Sequence, residues 1–379
     1  MTLITGRYAH EHGITVDGAV LWQGSFKAKP SPLSTIGRSE ALPRLLKEQG
    51  YLSYQSGRWF EGRYASAGFT HGTSERGNLS YDKPGFGLDS VKECTDFIDM
   101  AQREKKPFFL WYAPALPAFN YHSRLVRSGG KVVPDRINKN QKFILDLGMN
   151  DYYLQFQAPT GRGDLTQYYA LIEWFDEHCG KLIAHLEKQW LRDNTLIVVQ
   201  SANGWVSCRR RGEWAPRTKG SPYDGGVRSP AIYSWPAKIK PAVSESLVSS
   251  LDIVPTILAA AGAEPPKKNI PGMDLLPVME GKTSIDDRAI FGETFARDVA
   301  NMENPGAVLL KHWVIHKQYK LILSYDRKEI HVGGNKNSAK TTLPELYDLI
   351  SDPYEQNNLY GKLPKVYESL RARLEAFAG

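Results

Sequence analysis

Cysteine is scarce, with only Cys94, Cys179 and Cys208 in 379 residues. A scattered, odd set of this size excludes a disulfide framework and a thiolate zinc site, and leaves the redox compartment open. Long apolar runs are missing as well. The nearest, Ile253 to Ala261, is broken by Pro255 and Thr256, far short of the roughly 18 residues that a membrane span requires. The N-terminal stretch has no basic start followed by an apolar segment, because Thr5, Gly6, Arg7 and His10 interrupt it, so no signal peptide is expected in the chain as it stands. Charge of one sign is in mild excess only, 48 Lys and Arg against 41 Asp and Glu for a net +7. That favours acidic ligands without calling for nucleic acid. Also absent are a Gly-x-Ser-x-Gly elbow, a phosphate-binding Walker loop, a carboxylate cluster and a His pair at ligand spacing.

What is present is an ordinary globular composition, 41% hydrophobic and 23% charged, with length for two or three units at about 150 residues each. A helix is expected from Ser39 to Gln49, with Leu42, Leu45 and Leu46 on one face and Gly50 placed to end it. A strand from Tyr51 to Gln55 follows it, then a helix from Ser90 to Arg103 and a strand from Phe108 to Tyr112. Asp164 and Gln167 suit a capping box, and Leu165, Tyr168, Ile172, Phe175, Cys179, Leu182 and Leu186 repeat at helical spacing. The apolar strand Thr195 to Val199 shows no alternation, as expected where both faces are covered. Repeated helix-then-strand order predicts an α/β class. From Ile290 the rhythm changes to strands (Ile290 to Phe295, His312 to His316, Lys320 to Ser324, Leu343 to Tyr347) and a closing helix, Pro364 to Ala378, which predicts a smaller α+β unit on an antiparallel sheet. The polar, basic segment His122 to Lys142 reads as a surface insertion or solvated loop.

In α/β sheets ligands bind beyond the carboxyl ends of strands. The turns there read Gly57-Arg58-Trp59-Phe60-Glu61-Gly62, Ala113-Pro114-Ala115-Leu116-Pro117-Ala118, Ser201-Ala202-Asn203-Gly204-Trp205 and, later, Lys219 to Arg228. They supply two cations, Arg58 and Lys219, one amide, Asn203, and several glycines that permit close backbone approach. That set suits a tetrahedral anion. His10 and His12 flank a turn and are readable either as surface residues or as part of a site. Arg209, Arg210 and Arg211 form a charge run that reads as a solvated face, though it would also attract a sulfated polymer.

At these same turns the chain resembles the sulfatases of the alkaline-phosphatase-like superfamily. Leu3-Ile4-Thr5-Gly6-Arg7 with His10 and Gly13 is similar to the segment that follows the family's Cys-x-Pro-Ser-Arg signature. Leu42 to Tyr51 with Gly57-Arg58-Trp59 resembles the Gly-Lys-Trp block, and Asp193 to Gly204 the strand that ends in Asp-Asn-Gly. Lys219 to Pro230 resembles Lys-x-x-x-Tyr-Glu/Asp-Gly-Gly-x-Arg-x-Pro. Ser250 to Leu258, and Glu345 to Leu349 with Asp352, Pro353, Glu355, Asn358 and Leu359, are family-like too.

The resemblance implies an alkaline-phosphatase-like fold: a mostly parallel sheet between helices over residues 1–285, lacking its first strand and nucleophile turn, and a C-terminal α+β subdomain over residues 286–379. It implies sulfuric ester hydrolysis on a sulfated sugar or aryl sulfate, using a formylglycine nucleophile and a divalent cation, usually calcium. Lys219 and Arg58 are then the catalytic and sulfate-binding cations, Arg7 a further substrate-binding residue, and Asn203 a metal ligand. The match departs from the family at several positions. Ala202 stands where a metal-binding Asp is expected, Arg58 replaces a Lys, and Phe60 and Ala118 stand where His is common, with His122 four residues too late to substitute. Met1 aligns just after the signature Arg, so neither the formylglycine position nor the paired Asp residues fall within residues 1–379, and this polypeptide is expected to be without turnover. The other reading is a non-catalytic binder of sulfated glycans. The resemblance implies a periplasmic or secreted location, no nucleic-acid partner and no membrane span, and leaves oligomeric state open.

Overall fold

A computed structural model describes residues 1–15, 32–59, 61–74, 90–114, 116–117, 165–204, 208–210, 213–214, 217–295, 304–325 and 343–378. Phe60, Ala118 and the basic segment from His122 to Lys142 lie outside the described residues. The helices in chain order are α1 (Thr2–Thr5), α2 (Ala9–His12), α3 (Pro32–Arg38), α4 (Leu42–Glu48), α5 (Lys92–Arg103), α6 (Leu165–Lys188), α7 (Asp224–Val227), α8 (Ile253–Ala261), α9 (Leu276–Met279) and α10 (Pro364–Ala378). The strands are β1 (Leu52–Gly57), β2 (His71–Gly72), β3 (Phe108–Ala113), β4 (Ile197–Gln200), β5 (Cys208–Arg210), β6 (Glu213–Trp214), β7 (Ala231–Ser234), β8 (Ala289–Phe295), β9 (Leu309–His316), β10 (Tyr319–Ser324) and β11 (Glu345–Asp348). Contacts divide the chain into two compact units, residues 46–193 with 207–215, and residues 1–45 with 194–206 and 216–379. Among the described residues no helix is long and apolar enough to cross a membrane.

The unit built on residues 46–193 carries the parallel sheet, in the order β2-β1-β3. Parallel neighbours need a crossover, and α5 supplies it between β1 and β3, where Leu52 lies opposite Phe108 and Gly57 opposite Ala113. Phe97 and Ala101 of α5 pack on Leu52, Tyr54 and Phe108. Strand β1 is buried at nearly every position although Ser53, Gln55 and Ser56 are polar. It tolerates them because their partners are built in: Ser53 exchanges hydrogen bonds with Thr70, and the Gln55 amide accepts from Ser74 and donates to the Gly57 carbonyl. The strand therefore runs two residues beyond its expected end at Gln55. In α6 the core face is Leu171, Trp174, Phe175 and His178 rather than one centred on Ile172 and Cys179. A buried imidazole takes the place of the thiol because Tyr112 Oη lies 2.9 Å from His178 Nδ1 and partners it.

The second unit holds the antiparallel sheet, ordered β11-β10-β9-β8. Alternation puts Val314, Leu321 and Leu346 on the face covered by Leu370 and Leu374 of α10. It puts Trp313, Ile315, Ile322 and Tyr347 on the other, against Tyr223, Val227 and Leu247. Strand β4 corrects an expectation. It is half-buried throughout and pairs antiparallel with β7, Ile197 opposite Ser234 and Gln200 opposite Ala231. With one hydrogen-bonded neighbour among the described residues, its apolar side chains are not enclosed on both faces as an interior strand's would be.

Helices α1 and α2 fold over the same unit, and His12 is buried there rather than at the surface. Its Nδ1 accepts from the Ile14 N–H at 3.1 Å and its Nε2 lies 3.1 Å from Thr2 Oγ1, an arrangement only the neutral ring can make. Burial first, then the nearby N-terminal ammonium and His10, push its pKa from 6.5 down to about 3. The unfolded chain therefore takes up a proton below pH 6.5 that the folded chain refuses, and stability falls as pH drops through this window, by at most about 1.4 kcal/mol per pH unit. Thermal melts from pH 7 to pH 4 should show His12→Gln losing less stability than the parent. Equal losses would mean that another group titrates.

Candidate anion-binding site

Arg58 stands at the carboxyl end of β1. Its backbone N–H donates to the Ala113 carbonyl at 2.6 Å, tying the ends of β1 and β3 together. Gly57 makes this possible: it sits at φ +87°, and a Cβ there would lie 2.1 Å from the same carbonyl. The Arg58 backbone is thus held at the carboxyl end of the strands, where α/β sheets bind ligands. Its aromatic neighbour, Trp59, is buried edge-on against Phe69 and Trp111.

In the other unit the turn after β4 meets the turn before β7. The Gly204 N–H donates to the Gly226 carbonyl at 2.9 Å, and the Asn203 side-chain amide donates to the Gly204 carbonyl. Ser221 N–H donates to Thr218, closing the turn on which Lys219 stands half-buried. Gly226 lies against that turn so closely that a Cβ would be 2.5 Å from Thr218 O and 2.7 Å from Ser221 O. Asn203 and Lys219, assigned separately in the sequence, therefore stand on turns joined through one short helix, α7.

Helix α7 is fixed from below by charge. Lys320 of β10 is fully buried, its Nζ 3.0 Å from Asp224 Oδ1 and 3.0 Å from Glu355 Oε1. Glu355 Oε2 accepts the Asp224 N–H at 2.7 Å, and Arg228 reaches Asp224 from the solvent side at 3.6 Å. Beside this group Tyr223 and Tyr347 donate to Glu345 Oε2 and Lys311 donates to Oε1. The two glutamates respond oppositely. Burial raises the Glu355 carboxyl pKa and Lys320 only partly opposes it, whereas the Glu345 carboxyl, also raised by burial, ends below its ordinary range because Lys311 and the two phenols outweigh it. Reasoning from sequence placed Asp224 and Glu355 in family-like blocks but missed that Lys320 joins them. The only local signal was a lysine in an otherwise apolar strand.

Arg7 is occupied elsewhere. Its guanidinium donates to the Lys268 and Asn269 carbonyls at 2.6 and 3.0 Å and lies near Glu11 and Glu40, which makes it a brace for the 267–270 loop. His10 pairs with the buried Glu293 at 2.7 Å, and His312 lies 3.5 Å from the same oxygen. Among the described residues no calcium site is assembled: hard cations of this size take six to eight oxygens, the exposed Ala202 offers no side-chain oxygen beside Asn203, and the described residues contain no group of three His, Cys, Asp or Glu able to hold a metal. Within the larger unit, the joined turns present a lysine and an amide on backbone held in place by α7.

A family model described as Sulfatase matches residues 1–263, and one described as N-sulphoglucosamine sulphohydrolase, C-terminal, matches residues 212–378. Arylsulfatase A from Homo sapiens is 28% identical over 299 residues, covering 76% of this chain and 52% of its own length. N-acetylglucosamine-6-O-sulfatase from Bacteroides thetaiotaomicron is 27% identical over 447 residues, covering 95% and 73%. The chain spans about half the length or less of several other curated relatives, such as the 48% of an N-acetylgalactosamine-6-O-sulfatase from the same bacterium. Among solved structures, one in complex with its substrate D-glucosamine-2-N,6-O-disulfate superposes with a TM-score of 0.63 at 21% identity, covering 99% of this chain and 86% of that one. A sulfatase from Pseudoalteromonas sp. gives 0.64 at 17% identity, covering 99% and 79%. The fold is therefore alkaline-phosphatase-like, with a parallel sheet among helices and a separate antiparallel sheet.

The close approach at Gly226 sets a test of the geometry. Gly226→Ala should destabilise the protein by about 1–3 kcal/mol through overpacking. Gly37→Ala, in helix α3 with nothing within 4 Å, should be neutral or stabilising by up to about 1 kcal/mol. Urea denaturation of both variants is the measurement, and equal midpoints would contradict the packing described.

Proposed function

The chain belongs to the sulfatase family, and we propose that it recognises sulfate esters carried on sugars. Lys219 supplies a cation for the sulfate oxygens from its turn beside Asn203, and Arg58 has the same role at the end of β1. The single observation that carries this reading is the backbone union of the Asn203 and Lys219 turns, since a tetrahedral anion with spread charge is met best by a preorganised cation and close backbone. Relatives named for 6-O-sulfated amino sugars and a fold neighbour solved with a disulfated glucosamine support a sugar as the ester's carrier. Sulfuric ester hydrolysis is the family's activity, and family habit supports a periplasmic or secreted home.

Ala202 supplies no side-chain oxygen beside Asn203, where the family resemblance expects a metal-binding Asp. On this reading the polypeptide holds the ester without cleaving it, and Arg7 serves as a structural brace. The test is calorimetric titration of purified 1–379 with heparin-derived disaccharides and their desulfated counterparts at two salt concentrations, with free sulfate assayed in parallel. Binding that needs the sulfate group, weakens with salt and releases no sulfate is expected. Sulfate release above blank would overturn the loss of turnover, and equal binding of desulfated sugar would overturn the recognition itself.

A further inference from the structure

Lys320 lies in a strand of the antiparallel sheet, distant in sequence from every residue assigned to the anion. Its ammonium is fully enclosed, held by Asp224 and Glu355 at 3.0 Å each and 5.4 Å from the Trp313 ring centre. It has no exposed surface with which to touch a ligand. Each of its partners leads directly to the turns described above. Asp224 opens α7, whose Gly226 carbonyl receives the Gly204 N–H next to Asn203 and whose backbone lies on Thr218 and Ser221 around Lys219. Glu355 accepts the Asp224 N–H, while the preceding residue, Tyr354, accepts from Arg217 at 3.0 Å, two residues before Lys219. Arg217 in turn lies over the Tyr223 ring at 4.8 Å. The Lys219 turn is thus clamped at both ends by residues 354–355, and Glu355 is held at φ +55°, a conformation a non-glycine residue keeps only when its surroundings impose it.

We propose that Lys320 is a positioning residue for sulfate-ester recognition: its buried ammonium locks Asp224 to Glu355 and so sets the placement of Lys219 and Asn203. This rests on the recognition reading above. A lysine is suited to the task because one compact ammonium can satisfy two carboxylates from different segments, whereas removing it leaves two buried anions facing each other.

The test compares the parent with Lys320→Met, Lys320→Arg, Glu355→Gln and Lys219→Ala, all in the full chain. Inorganic sulfate and a 6-O-sulfated glucosamine disaccharide are the probes, and amide hydrogen exchange is followed at Gly204, Gly226 and Arg228. Lys320→Met should weaken sulfate binding about tenfold and speed exchange at those amides, with the salt dependence of binding unchanged because no ligand contact is lost. Lys219→Ala should weaken binding and flatten the salt dependence, because it removes a direct ion contact. Lys320→Arg should recover part of the affinity. Should Lys320→Met fail to fold, Glu355→Gln, which keeps the volume, should show the same pattern more weakly. Parent-like affinity and exchange in Lys320→Met or Glu355→Gln would overturn the proposal, as would a salt slope that falls with Lys320. If the parent binds neither probe yet exchange still quickens in the variants, the recognition reading fails while the anchoring of the turns stands.

Discussion

A lysine ammonium sealed from water is tolerable only when its charge is met on the spot, and that constraint organises the larger unit. Lys320 is met by Asp224 and Glu355, residues 131 positions apart in sequence, so one buried charge joins β10, the opening of α7 and the loop after β11. The hydrophobic face beneath it, Trp313, Ile322 and Tyr347 against Tyr223 and Val227, excludes the water that would otherwise weaken the pairing. Asp252 repeats the principle: wholly buried, it receives two bonds from Arg288 at 2.6 and 2.7 Å and caps the N–H groups of Ser249 and Met273.

These pairings explain why the candidate site stands on turns and is still well defined. Turns are ordinarily the least constrained parts of a fold. Here Gly226 lies in van der Waals contact with the Lys219 turn, and the Gly204 amide is spent on Gly226. Arg58 is held in the other unit by a different device, a backbone bond across the ends of two parallel strands. In both places the backbone is fixed by the fold and the cation is added to it.

Much of the architecture is legible in the sequence. The leucines of α4, the existence and length of α6, the crossover from β1 through α5 to β3, and the bounds of α10 follow from spacing, capping and glycine placement. The candidate cations follow from their position after strands. Other features resisted such reading because they depend on distant partners. Ser53 and Gln55 look unsuited to a buried strand until Thr70 and Ser74 are brought beside them. His178 enters the core in place of Cys179 because Tyr112 is there to meet it. Arg7 looks like a substrate cation until the carbonyls of Lys268 and Asn269 close on it.

The sequence by itself determined the class of fold, the order of its elements and the kinds of side chain available at the strand ends, since periodicity and turn chemistry are local properties of the chain. Only the tertiary structure decided which charges are spent on the protein, as those of Arg7, Arg288 and Lys320 are. Arginine, lysine and histidine look alike in sequence whether braced, buried or exposed. The difference lies in the carboxylates and carbonyls that folding brings within about 3 Å of them, and those come from segments that no local pattern connects.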